Sequence, residues 1–273
     1  LKMFLLIHLL LGIQPEKFNL LNKSNKISKS SLIERGATLG INNTICENAI
    51  IRSNVTIGNN NWVGPNSILE NNVTIGDNNK FYGFLSAGSL GEMGSKGDSL
   101  SKEACVKIGN FNIFREFVTI NSPVKRKKTI ILNNCYFMAR THIPHDAFIG
   151  NNVIMANNSG LGGGCTISDY VYVGLNAHVH QWLSIGEGAM LGINSATINN
   201  IPPFCTAVGV PSKIIKINFE GLKRRNFKDK DINFLNDYVL SKDRSSINKK
   251  NSLIDKYNEF LDSHENYIEI KSI

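Results

Sequence analysis

His142, His145, Asp146, His178, His180 and Gln181 gather four of the chain's six histidines into two short stretches. Imidazole titrates near neutral pH and ligates metals, so the cluster has three readings: a metal centre, an acid–base device, or surface histidines without a role. In the acid–base reading, a histidine oriented by Asp146 deprotonates an alcohol or amine nucleophile. Gly163, within the run Gly162-Gly163-Gly164, can then offer its backbone N–H to a developing oxyanion with no side chain in the way. The same glycines also suit a tight corner of the chain.

The elements that must hold these residues follow from a six-residue period. One run reads Ile33, Leu39, Ile45, Ile51, Ile57, Val63, Leu69, Ile75, Phe81, Ala87, and Ile108, Phe114 and Ile120 keep its step. A second run, in a new phase, reads Ile131, Phe137, Ile143, Ile149, Met155, Leu161, Ile167, Val173, Val179, Ile185, Leu191. Neither an α-helix nor an ordinary strand has this period, whereas a coil of three short strands does, with one apolar side chain per strand pointing inward. The fifth position of the second run is mostly small, as in Cys135, Thr141, Ala147 and Ser159, which fits the corner of a narrow core. In the first run Asn43, Asn61 and Asn79 take that place at steps of eighteen, one full coil, and predict an asparagine ladder.

The same arithmetic stacks His145, Gly163 and Gln181 in one column and His142, Gly160 and His178 in another, with rungs about 4.8 Å apart. His178 then stands about 10 Å from His142, too far to share a metal within one chain, although a site shared between subunits escapes that objection. None of the histidines occupies an inward position, so all are expected to face solvent or a neighbouring subunit.

Two stretches, Ser89 to Lys107 and Ser122 to Ile130, break the phase and must loop out. Loops on a rigid scaffold are where binding residues tend to lie. The regular coils end near Thr197, where Ile201-Pro202-Pro203 signals a break. Helical spacing follows in Ile232, Leu235, Tyr238 and Val239, and again in Leu253, Ile254, Tyr257, Phe260 and Leu261, with a polar linker over 241–251. The expected division is an N-terminal extension over 1–25, a β-helix over 26–203 and a helical C-terminal domain over 204–273.

An apolar share of 42% excludes a disordered chain. A net charge of +8 admits nucleic acid, an anionic membrane, or acidic partners such as nucleotide substrates and acidic carrier proteins. Five scattered cysteines without CxxC spacing read as reduced core residues, not a disulfide framework. The apolar run Met3 to Ile13 is too short to span a bilayer as a helix but suits a signal-peptide core. The polar stretch Lys17 to Ser31, free of acidic residues, is compatible with an organellar transit segment. A dispensable extension is the plain alternative to both.

Several segments in order resemble those of the hexapeptide-repeat acyltransferases, and within them the UDP-N-acetylglucosamine 3-O-acyltransferases that open lipid A synthesis. They are Phe84 to Glu92 (FLSAGSLGE), Ile113 to Ile120 (IFREFVTI), Thr141 to Asp146 (THIPHD), Val179 to Trp182 (VHQW) and Asn218 to Arg225 (NFEGLKRR). The resemblance implies a left-handed parallel β-helix with a helical tail, assembled as a homotrimer with active sites between subunits. It implies His145 as general base on the sugar 3-hydroxyl, Asp146 as its support and the Gly163 amide as oxyanion donor. His142, His180, Gln181, Asn218, Glu220 and Arg225 fall on positions that bind the UDP-sugar, and Arg224 on one used towards the carrier's phosphopantetheine. The implied donor is a 3-hydroxyacyl group on acyl carrier protein, with no other cofactor, no metal, no nucleic acid and no transmembrane segment. The run Lys125-Arg126-Lys127-Lys128 is a candidate contact for that acidic carrier or simply a solvated charge run.

Three departures stand out. Gly164 replaces a further active-site histidine of the family. Lys96 and Asp98 reverse the order of an Asp-x-Lys pair that contacts substrate. Ile193 stands at the position that limits acyl length, often glycine for longer chains, and predicts a shorter acyl group. Rival readings are an N-acyltransferase on a UDP-amino sugar such as a diamino analogue, a γ-carbonic-anhydrase-like metal enzyme, and a non-catalytic scaffold. The expected location is the cytoplasm, or an organelle if residues 1–25 are a targeting segment.

Overall fold

The computed structural model describes residues 24–70, 72–93, 104–241 and 251–268. Lys96, Asp98 and the apolar run of the N-terminal extension lie outside them. The described residues form two compact units. One holds the chain up to Cys135 with Pro144–Asp146, the other Tyr136–Ile143 with the chain from Ala147 onward. Both are built of coils of short parallel strands, and the fold is a left-handed parallel β-helix followed by helices.

In the first unit each strand pairs in parallel with the strand one coil later. Lys26–Ile27, Thr44–Ile45, Trp62–Val63, Lys80–Phe81 and Ile113–Phe114 make one sheet. Ile45, Val63, Phe81 and Phe114 point inward and are fully buried, and the Phe81 and Phe114 rings stack at 4.9 Å between centroids. The expected insertions are real. Ile75 pairs with Ile108 and Ile108 with Ile131, so both joins span more than eighteen residues while the register of the rungs is kept.

The asparagine ladder is present and longer than the sequence predicts. The N–H of Asn43, Asn61, Asn79, Asn112 and Cys135 each donates to the side-chain oxygen of the asparagine one coil below, beginning at Asn25, over 2.7–2.9 Å. Each Nδ2 of Asn43, Asn61, Asn79 and Asn112 in turn donates to a coil carbonyl. Buried amides are tolerated here because donor and acceptor are both satisfied. Asn112 escapes the eighteen-residue arithmetic because the first insertion lies between it and Asn79.

The second unit repeats the pattern. His142–Ile143 pairs with Gly160–Leu161, that with His178–Val179, and that with Ala196–Thr197. Beyond the Pro202-Pro203 break one more strand, Cys205–Val208, pairs in parallel with Met190–Leu191, and Lys213–Ile217 folds back on it antiparallel. These strands lie inside the stretch read as the helical tail. The helices begin later: α1 (Phe219–Arg224), α2 (Asp229–Leu240) and α3 (Ser252–Ser263). The apolar stripes of α2 and α3 are buried as their spacing requires, and the Tyr238 hydroxyl donates to Asn258. All five cysteines are free, three buried and two half-buried.

Candidate active site

His145 and Asp146 sit in the first unit, at a corner where Asp146 adopts φ 64°. Aspartate tolerates this left-handed conformation better than most residues. Of the two expected surroundings of His145, solvent or a neighbouring subunit, the structure does not give open solvent: His145 is only 6% exposed, and Asp146 is not exposed at all. The hexad phase does point both outward, but the looped-out segment after Ser122 folds back over them. On the other side, a Cβ at Gly91 would stand 2.8 Å from the His145 Cβ and 2.3 Å from the Val124 side chain. Only glycine lets that turn close on the pair.

The segment over the dyad holds the carboxylate through backbone N–H groups and the Asp146 backbone through side chains. The Asp146 carboxylate accepts the N–H groups of Val124 at 3.1 Å, Lys125 at 3.0 Å and Arg126 at 2.6 Å, and pairs with His145 Nδ1 at 2.8 Å. The Asp146 N–H donates to Thr129 Oγ1 at 3.0 Å, and Arg126 Nη1 donates to the Asp146 carbonyl at 2.8 Å. Burial pushes the Asp146 carboxyl pKa up. The hydrogen bonds from the His145 ring and the three amides outweigh burial and hold it below the usual carboxylate range. An ionised carboxylate only accepts, so the proton of the neutral ring sits on Nδ1 and the lone pair on Nε2. That is the protonation pattern of a general base.

The second unit carries the other residues. His142, Gly160 and His178 stand in one register as predicted, and a Cβ at Gly160 would meet the His178 ring at 3.2 Å, so that ring lies across the glycine. His142 is half-buried, whereas His178, His180 and Gln181 are exposed. Gly163 lends its carbonyl to the Trp182 N–H at 2.8 Å. Its own N–H has no acceptor among the described residues. Gly164 has φ 73°, and a Cβ there would lie 2.3–2.6 Å from three atoms of the Trp182 indole. The room a larger residue would need at position 164 is filled by that ring. Ile193 is 66% exposed.

Asn218 caps α1. Its Oδ1 accepts the Gly221 N–H at 3.0 Å while its Nδ2 donates to the Gly188 carbonyl at 2.9 Å. Glu220 and Arg224 are exposed on α1. Arg225 pairs with Glu187 and lies over the Tyr170 ring, 4.1 Å from its centroid. Lys256 of α3 holds the other Glu187 oxygen. Sequence reasoning missed Glu187, Tyr170 and Thr129. It also missed the three amides over Asp146, because backbone donors leave no residue signature. Among the described residues no group of three or more His, Cys, Asp or Glu side chains is arranged to hold a metal ion.

Coils of six-residue repeats define a protein of the hexapeptide-repeat class, and its buried His–Asp pair is suited to acid–base chemistry. The hexapeptide family of bacterial transferases, six repeats, matches residues 54–84, and the family described as UDP-N-acetylglucosamine O-acyltransferase, domain 2, matches residues 200–265. A solved UDP-N-acetylglucosamine acyltransferase from Campylobacter jejuni is 30% identical, with a TM-score of 0.83 over 90% of this chain and 100% of that one. Another, from Bacteroides fragilis 9343, is 26% identical, with a TM-score of 0.83 over 89% and 99%. A curated acyl-(acyl-carrier-protein) UDP-N-acetylglucosamine O-acyltransferase from Janthinobacterium sp. (strain Marseille) is 42% identical over 127 residues, 46% of this chain and 48% of that one. By that measure the chain spans about half the length of the curated relatives it matches. The chain belongs to the UDP-N-acetylglucosamine acyltransferase family.

Proposed function

We propose that this chain transfers a 3-hydroxyacyl group from acyl carrier protein to the 3-hydroxyl of UDP-N-acetylglucosamine, the first step of lipid A synthesis, as a homotrimer in the cytoplasm. The observation that carries this reading is the His145–Asp146 pair, whose hydrogen bonding leaves a lone pair on Nε2. Nε2 takes the proton of the sugar hydroxyl as its oxygen attacks the thioester carbon. The tetrahedral oxyanion is held by the Gly163 N–H. Collapse then breaks the carbon–sulfur bond, and the departing pantetheine thiolate takes the proton back from the imidazolium. The thioester supplies the acyl group, so the reaction needs no further cofactor.

In the same reading His142, His180, Gln181, Asn218, Glu220 and Arg225 bind the UDP-sugar, Lys96 and Asp98 contact substrate from the first loop, and Arg224 meets the phosphopantetheine. Arg225 suits a phosphate because Glu187 and Tyr170 fix its fork in place before substrate arrives. Ile193 shortens the space for the acyl chain. Family membership supports the donor and acceptor classes. The test is transfer to UDP-N-acetylglucosamine from a panel of 3-hydroxyacyl carrier proteins of graded length. The expected product is the 3-O-acyl sugar nucleotide, formed fastest from a shorter chain and from longer chains in Ile193→Gly. No product from any donor would overturn the proposal.

A further inference from the structure

Asp146 is held from both of its ends by one residue. The Arg126 N–H donates to the carboxylate at 2.6 Å, while the Arg126 guanidinium reaches round to the Asp146 backbone carbonyl at 2.8 Å. Thr129 closes the third side by accepting the Asp146 N–H. The peptide units flanking Asp146 are therefore fixed on both sides, at a residue whose φ of 64° a side chain adopts only against a steric cost. His145 depends on that geometry, because its ring is aimed by the single bond from Nδ1 to Asp146.

We infer that Arg126 is a positioning residue for the dyad, clamping Asp146 so that the His145 ring keeps its proton on Nδ1 and its lone pair aimed outward from Nε2. The inference rests on the reading of His145 as general base and adds a residue that touches no reacting atom. Arg126 is exposed, and Arg126→Met and Arg126→Lys both keep the backbone N–H that meets the carboxylate, so the guanidinium is the part they vary. It also gives the basic run a task besides solvation, since its backbone and one of its side chains are committed to the catalytic corner.

The test compares Arg126→Met, which keeps the stem and loses the donor, with Arg126→Lys, which keeps a charged donor. Steady-state rates are measured alongside the 15N spectrum of histidine-labelled protein, with the His145 signals assigned by their loss in His145→Ala. The expected result for Arg126→Met is a kcat lower by about 10- to 100-fold, the range that a small misplacement of a catalytic group costs. KM for the UDP-sugar should stay within about twofold, because sugar binding is not what the clamp serves. The His145 spectrum should change from the Nδ1–H tautomer to a mixture. Arg126→Lys should restore most of kcat and the single tautomer. An unchanged tautomer in Arg126→Met would overturn the inference, whatever the rate. So would equal losses in both variants accompanied by a lowered melting temperature, the mark of a merely structural role. A wild-type chain that transfers no acyl group, yet shows the tautomer change in Arg126→Met, would sink the acyl-transfer reading and leave the clamp standing.

Discussion

At one corner of the first unit the Asp146 carboxylate is buried and held ionised. Asp146→Asn keeps the shape but can present an amide N–H to the ring or to the three loop amides, so the ring loses its preferred tautomer. Its kcat should fall by about 10²- to 10⁴-fold, read in the same transfer assay. The carboxyl pKa is depressed in the folded chain, so its contribution to stability is fully present above the unfolded value of about 4 and is lost as pH falls through the lower native value. Urea midpoints measured across that acid range should therefore decline more steeply for the wild type than for Asp146→Asn. His145 and Asp146 were legible in the sequence as a pair outside the inward phase. Their burial was not, because it comes from a looped-out segment tied to the carboxylate by backbone N–H groups, which leave no residue signature. Gly164→His, the residue the resemblance implies here, must evict the Trp182 indole and adopt φ 73°. Fluorescence of Trp182 in a Trp62→Phe background should shift to the red, reporting an indole pushed into water.

The six-residue apolar step made the coils legible from Ile33 to Leu191 but not the parallel strand Cys205–Val208 beyond them, and eighteen-residue spacing gave the His142–Gly160–His178 column its register. What the apolar step did not disclose is how each corner turns. Asn42, Asn48, Asn54, Asn60, Asn66, Asn72 and Asn78 recur at every sixth position with φ of 56–62°. Asparagine enters the left-handed region at lower cost than most side chains. The asparagine excess of the chain is thus in good part a requirement of its corners, a signal that was present in the sequence as a second six-residue period. The buried ladder is a separate use of the same residue. Asn61→Ala removes the acceptor for the Asn79 N–H and the donor to the Gly76 carbonyl. The orphaned N–H alone should cost about 1–3 kcal/mol, measurable by urea denaturation, whereas Asn60→Gly at an exposed corner should cost far less.

Over the whole molecule, α2 and α3 were found by their i, i+3, i+4 spacing, while α1 and the connection of the helices to Arg225 were not. Glu187 from the coils holds Arg225 on one oxygen and Lys256 of α3 on the other. No periodicity marks such a residue, since it serves neither core nor corner. Glu187→Gln should leave Arg225 less firmly placed and raise KM for the UDP-sugar by about tenfold, equivalent to about 1.4 kcal/mol, with kcat little changed. Light scattering on the proposed trimer should give three times 30.2 kDa. His145 as the base that makes the sugar hydroxyl a nucleophile is tested by kcat for acyl transfer to UDP-N-acetylglucosamine, compared between wild type and His145→Ala. A folded His145→Ala chain slower by about 10²- to 10⁴-fold, with KM for the sugar nucleotide near that of the wild type, is the predicted result; turnover within a few-fold of wild type would contradict it.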